Sequence, residues 1–228
     1  MYIMPFDARL DAKHPPVRPV RGRPPLSGPD VRDSIVRAAS EAFAQDGFAA
    51  TTVESVAQRA GLPKSNVLYY FKSKENIYAQ VLADIAAVYL ETCSPFEDEE
   101  EPLDAMVRKV TAMIRLFEQR PSAARVFMVE LRQGAPRLPQ AWFTQWTAHA
   151  RQSAACLRRW IDRGLLAPVD PDHLLLTLAA MAQSCIGFGW QMPGQDAPDH
   201  RTAADYEAAV TTATRLLLRG LAPEKSPA

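Results

Sequence analysis

Lys64, Ser65, Asn66, Tyr69 and Tyr70 lie within seven consecutive residues, and their types set what they can do. One is a cation, two are short hydrogen-bonding groups and two are phenols. None is paired in sequence with a base or an activated nucleophile, so bond-making chemistry is not indicated. A cation and phenols suit phosphate oxygens, while a hydroxyl and a carboxamide suit the edges of bases. Val67, Leu68 and Phe71 are the apolar members of the same run. On a helix from Lys64 to Phe71 they form the inward side and leave the other five facing outward.

The residues before this run must position it. Thr51 followed by Glu54 reads as a capping box. Val53, Val56, Ala57 and Ala60 then recur at the spacing of one helical face. Gly61 supplies the left-handed backbone on which helices end. Leu62 can plug the angle between the two helices, and Pro63 pre-sets the dihedral of a helix start. Helix, glycine turn and helix at this size predict a helix-turn-helix whose second helix enters a DNA major groove. In that reading Thr52, Lys64, Tyr69, Tyr70 and Lys74 hold phosphates, and Ser65 and Asn66 meet base edges.

This stretch resembles the DNA-binding signature of TetR-type transcriptional regulators. The resemblance is carried by Gly47-Phe48, Thr51-Thr52-Val53, Val56-Ala57, Ala60-Gly61-Leu62, Tyr69-Tyr70-Phe71 and Ser73-Lys74-Glu75. Pro63 departs from it where the family usually has a serine cap, and Leu68 where an aromatic is common. Further similarity, to the regulators of pyrimidine utilisation and their relatives, runs through SNVLYYFKSKENIYAQVL, RVFMVELRQGAP and GLLAPVDPDHLL. The eighth helix departs from that subgroup at Ala179, Cys185 and Gly187. The resemblance implies a repressor with two helical domains. It also implies a homodimer formed through the eighth and ninth helices, about residues 171–190 and 203–219. That dimer would be released from an inverted-repeat DNA operator by a small-molecule effector, such as a pyrimidine or a related metabolite.

Composition agrees with a folded chain that binds DNA at one end. The 228 residues are 47% apolar and carry no net charge, enough to bury a core and against indiscriminate polyanion binding. From Arg18 to Lys74 there are nine Lys and Arg against five Asp and Glu, whereas from Glu91 onward there are fifteen against seventeen. Cys93, Cys156 and Cys185 are odd in number and widely spaced, which fits buried thiols in a reducing cytoplasm. No apolar run has the length of a signal peptide or a membrane span. His14, His149, His173 and His200 lack metal-ligand spacing, and no phosphate loop, HExxH or GxSxG occurs. The reading is therefore a non-enzymatic cytoplasmic protein with no catalytic residues, no metal and no cofactor. The alternative is a helix-turn-helix protein that recruits partners without an effector.

Periodicity predicts an all-α chain of about nine helices. Residues 1–28 form a Pro- and Arg-rich arm, in which Arg18, Arg21 and Arg23 could reach DNA. Residues 29–75 form the helix-turn-helix DNA-binding domain, 76–222 the ligand-binding and dimerisation domain, and 223–228 a tail. Helix one runs from Ser27 to Gln45 and ends at Gly47. Helix four, Lys74 to about Thr92, is long enough to link the head to the rest. Glu97 to Glu101 is an acidic, solvated loop. Helix eight, apolar from Leu174 to Phe188, is expected to be buried on all sides. In helix nine, Tyr206, Ala209, Val210, Ala213, Leu216 and Leu217 are expected to face inward, with Ala209 and Ala213 small enough for close packing on a symmetry mate. A small-molecule site between bundle helices would draw on Phe117, Met128, Trp142, Trp146, His149, Met181, Gln183 and Phe188, with Phe127 and Ser184 nearby.

Overall fold

A computed structural model describes residues 28–186 and 201–222 of the chain. The arm before residue 28, the loop Gln191 to His200 and Phe188 lie outside the described residues. Among the described residues the regular structure is entirely α-helical. The helices are α1 (Gly28–Ala50), α2 (Val53–Ala60), α3 (Lys64–Phe71), α4 (Lys74–Thr92), α5 (Pro102–Gln119), α6 (Pro121–Arg132), α7 (Gln140–Asp162), α8 (Pro171–Gln183) and α9 (Ala203–Gly220). None of them is long and apolar enough to cross a membrane.

The head is α1 to α3. Ile35, Ala39, Ala42 and Phe43 of α1 pack with Val56 and Ala57 of α2 and with Val67 and Phe71 of α3, all buried. Gly47 breaks α1 with φ 75° and ψ 169°, and a last turn follows it. The helix-two cap is displaced by one residue from the sequence expectation. Thr52 is the N-cap, and Thr52 and Ser55 form the capping box in place of Thr51 and Glu54. Thr51 turns inward, 1% exposed, and its hydroxyl donates to the Gly47 and Ala42 carbonyls. A buried threonine can satisfy its hydroxyl there, so it staples the α1 break, while the exposed Thr52 is free to cap. Gly61 ends α2 with φ 68°, and its N–H donates to Ala57 and Gln58.

Helix α4 joins head and body. Ile77, Val81, Leu82, Ile85 and Tyr89 are all buried, as the periodicity predicts. Its start packs against α1 and α6, and its far half against α5 and α7. The Trp142 indole N–H donates to the Ala86 carbonyl at 3.0 Å, pinning α7 to α4. Trp142 and Trp146 stack at 5.6 Å, and Trp146 in turn stacks on Tyr89. Proline opens both α5 and α6, and Asp170 caps α8 by accepting from the His173 N–H. The acidic loop is exposed as expected, yet it is anchored: Asp98 accepts from Arg159 at 2.8 Å, and Phe96 beside it is buried against Trp160.

Two expectations for the last helices are corrected. Helix α8 is not covered on every side, because Leu176 is 68% exposed. On α9, Leu216 is 56% exposed and points outward, while Ala213 is buried in the chain's own core and Ala209 packs against it. The reason is common to both. A helix apolar on more than one face satisfies one face within its own fold and leaves the other open.

Gly61 provides a test of the head's geometry. No atom lies within 4 Å of a Cβ placed there, so strain at φ 68° is the whole penalty. Gly61→Ala should destabilise by about 1–2 kcal/mol, or roughly 2–4 °C in Tm per kcal/mol. Gly220→Ala, where the backbone is helical and the space also open, should not destabilise. Equal melting losses for both variants would refute the assignment of strain to Gly61.

Candidate DNA interface and effector cavity

The short helix α3 presents the chemistry that its sequence indicates. Val67 and Phe71 are buried, and Lys64, Ser65, Asn66 and Tyr69 are exposed. Tyr69 is the most open large apolar side chain among the described residues, at 72%. Tyr70 is half-buried and meets Tyr69 edge-on at 5.3 Å. Pro63 occupies the N-cap without a side-chain hydrogen bond, so the first N–H groups of α3 lack a side-chain cap. The Lys64 ammonium lies 3.0 Å from the Glu54 carboxylate of α2, both well exposed. Such a surface pair is weak in water and yields readily to a phosphate.

Lys74 has an internal role as well. Its ammonium donates to the Phe48 carbonyl at 2.8 Å and to Ala49 at 3.3 Å, and sits 4.5 Å from the centre of the Phe48 ring. It therefore closes the last turn of α1, where free carbonyls accept a cation. Lys72, absent from the residues that the sequence reading singled out, is exposed and carries its ammonium 5.3 Å from the Tyr69 ring centre. It has φ 64°, unusual for a residue with a side chain. Its place in the turn between α3 and α4 could have marked it, since one residue there must bend the chain.

The second feature is a cavity of about 310 Å³ in the body. Tyr89 and Cys93 of α4, Lys109 and Met113 of α5, Trp146, His149, Ala150 and Ser153 of α7, and α8 from Asp172 to Ala179 contribute its wall. The sequence-predicted residues divide three ways. Trp146 and His149 line the cavity. Phe117, Met128 and Trp142 lie in the packed core, Phe117 stacked behind Tyr89 and Trp142 committed to the Ala86 carbonyl. Met181 and Gln183 are half-buried on α8, off the cavity wall, and Gln183 hydrogen-bonds the Tyr89 hydroxyl. Burial, and after it the neighbouring Cys93, pushes the Tyr89 pKa well above the usual phenol range. Burial likewise pushes the Cys93 thiol up to about 11. Both are neutral at pH 7. His149 Nδ1 is buried and, among the described residues, has no hydrogen-bond partner.

A third arrangement links the two. Glu130 of α6 is a carboxylate with 0% exposure. It accepts from the Tyr78 hydroxyl of α4 at 3.0 Å, from the Arg137 backbone N–H at 2.8 Å and from the Arg137 guanidinium at 3.3 Å. Arg137 also lies over the rings of Phe48 and Tyr78. Burial first, then the Glu130 charge and hydrogen bond, raise the Tyr78 pKa. Head, α4 and α6 thus meet at one buried polar joint, beside a cleft lined by Phe43, Phe48, Tyr78 and Val126. No group of His, Cys, Asp and Glu among the described residues could hold a metal ion.

Comparison with known proteins follows this division of labour. Residues 35–81 match the profile of "Bacterial regulatory proteins, tetR family", and residues 82–224 that of "YcdC-like protein, C-terminal region". The chain belongs to the TetR family of transcriptional regulators. The HTH-type transcriptional regulator RutR of Escherichia coli (strain K12) is 31% identical over 192 residues, 84% of this chain and 91% of RutR. The HTH-type transcriptional repressor KstR2 of Mycolicibacterium smegmatis is 27% identical over 78% of this chain and 88% of KstR2. Among solved structures, the ketosteroid transcriptional regulator KstR2 of Mycobacterium tuberculosis superposes with TM-score 0.65 at 20% identity, covering 85% of this chain and 95% of that one. The TetR-family regulator PfmR from Thermus thermophilus gives 0.59 at 23%, covering 86% and 98%. As a TetR-family member the chain is a DNA-binding transcriptional regulator.

The joint predicts a stability hierarchy. Glu130→Leu strands the Tyr78 and Arg137 donors and should cost about 3–5 kcal/mol. Tyr78→Phe removes one donor and should cost about 1–2 kcal/mol. Urea denaturation would measure both, and a Glu130→Leu loss no larger than that of Tyr78→Phe would show that the carboxylate does not organise the joint.

Proposed function

We propose that the chain is a cytoplasmic, homodimeric repressor, without enzymatic activity, released from an inverted-repeat operator by a small molecule bound in the body cavity. The observation that carries this reading is that α4 belongs to both sites. Its first residue, Lys74, holds the end of α1, and Tyr89 and Cys93 near its other end line the cavity. Residues 29–75 act as the DNA-binding head and 76–222 as the effector and dimer domain. Thr52, Lys64, Tyr69, Tyr70 and Lys74 hold phosphates, and Ser65 and Asn66 read base edges. Pairing through the open faces of α8 and α9, with Leu176 and Leu216 meeting a second copy across a two-fold axis, sets the spacing of two heads. Half-sites about one helical turn apart, roughly 34–36 Å, or somewhat more in a wide dimer, match such a pair.

The effector is a small, partly planar molecule. Tyr89 and Trp146 put aromatic atoms on the cavity wall, and a pyrimidine is one candidate in view of the likeness to RutR. A ligand shifts the heads only through a difference in its affinity for the two states. Tenfold weaker operator binding needs about 1.4 kcal/mol of coupling. A recruiter of protein partners that has no effector is the competing reading, and a cavity of about 310 Å³ walled by α4, α5, α7 and α8 disfavours it.

DNA binding supplies the test. Lys64→Ala should weaken binding to every sequence and lower the salt slope by about one unit. Glu54→Gln frees Lys64 from its pair, removes a charge that repels phosphate, and should tighten binding to every sequence. Asn66→Ala should alter which base is preferred. Selection from random DNA that returned a lone asymmetric half-site, or a Glu54→Gln variant with weakened binding, would count against this placement of the interface.

A further inference from the structure

We propose that the effector carries an anionic group, a carboxylate or its equivalent, that pairs with Lys109 inside the body cavity while its apolar part fills the rest of that cavity. The proposal rests on the reading of this cavity as the effector site and names the chemistry it selects. Lys109 is the one cation among the described lining residues. An ammonium has three N–H donors. The Ser94 carbonyl takes one of them, and the Phe96 ring lies 3.8 Å from the nitrogen. No carboxylate lies within ion-pair distance of it among the described residues, since Glu100 is held by Arg108. Most of the wall is apolar: Met113, Ala150, Leu175, Leu176, Leu178 and Ala179.

A half-buried charge in such surroundings loses part of its hydration, which the Ser94 carbonyl and the Phe96 ring only partly replace, so a counter-ion is favoured there. Consistent with this, burial draws the Lys109 pKa below the usual lysine range, while the nearby Cys93, Glu100 and Cys156 oppose the shift. Neutral Tyr89 and Cys93 do not compete as anions. Asp172 is the one lining carboxylate; it is exposed on the first turn of α8, where water weakens its repulsion. His149 is a second polar residue on the wall, contributed by α7. The arrangement also contains a route to the head. Ser94 directly follows the C-cap of α4. An anion that draws the Lys109 ammonium from the Ser94 carbonyl loosens the end of the helix that carries the head.

The test uses a matched pair of fluorescent probes on the full chain. Anilinonaphthalenesulfonate and phenylnaphthylamine have the same rings, and only the first bears a sulfonate. A purely apolar cavity favours the neutral probe, because the anion must shed water. The expected result is at least tenfold tighter binding of the sulfonate. Lys109→Met should remove that preference by weakening sulfonate binding and not the neutral probe's, Lys109→Arg should restore it, and Ala150→Trp, which fills the cavity, should abolish both signals. Equal affinities of the two probes for the wild-type chain, a measurement that needs no variant, would overturn the proposal and leave the cavity as a neutral effector site. Loss of the preference in Lys109→Arg as in Lys109→Met would overturn it too, by assigning the side chain a packing role. Failure of both probes to bind, or signals that survive Ala150→Trp, would overturn the proposal together with the cavity reading.

Discussion

The carboxylate of Glu130 is the point on which the architecture turns. A charge with no exposure is tolerated only where donors surround it, and here they come from two elements. Tyr78 reaches it from the beginning of α4, and Arg137 from the connection between α6 and α7. Arg137 then spreads its guanidinium over Phe48, at the end of α1, and Lys74 approaches the same ring. Polar geometry is directional in a way that apolar packing is not. The joint therefore fixes how the head sits on the body, where apolar contact alone would allow sliding.

From that joint α4 runs as a rigid member to the cavity. Its middle is pinned by the Trp142 indole on the Ala86 carbonyl, and its last turns offer Tyr89 and Cys93 to the cavity. A packed helix does not bend continuously; it shifts as a unit between arrangements of similar energy. Disturbance at one end is thus felt at the other, where Ser73 caps α4 and Lys74 holds the α1 terminus. Lys74 at its start and Tyr89 and Cys93 at the cavity share one helix without sharing a single side chain.

The same economy appears at the surface. Within the described residues α8 buries Leu174, Leu178 and Ala182 in the core and leaves Leu176 largely exposed at the rim of the cavity; α9 buries Tyr206, Ala213 and Leu217 and leaves Leu216 open. Leu176 and Leu216 are the exposed leucines that the proposed pairing with a second copy would cover.

Much of this was legible in the residue order. The 3.6-residue spacing of Ile77, Val81, Leu82, Ile85 and Tyr89 specifies the inward face of α4 whatever it packs against, because helix periodicity is local. Gly47, Gly61, Pro121 and Pro171 mark helix ends for equally local reasons of backbone freedom. On α3, Val67 and Phe71 are the buried anchors that their spacing indicates, whereas Tyr70, expected outward, packs half-buried on the core and Leu68 does not join it. Other features needed tertiary structure. Thr51 and Thr52 are identical residues side by side, and only the packing of α1 decides which is buried and which caps. Aromatics at helical spacing do not reveal whether a ring lines a space or fills it, so Phe117 and Trp142 went to the core while Trp146 stayed at the cavity. Lys109 and Glu130 gave no signal in sequence, since a charged residue on a helix reads as solvent-facing until helices from distant parts of the chain close around it. Local propensity determined the helices and their ends; long-range packing decided where the charges were buried, and burial gives those charges their chemistry.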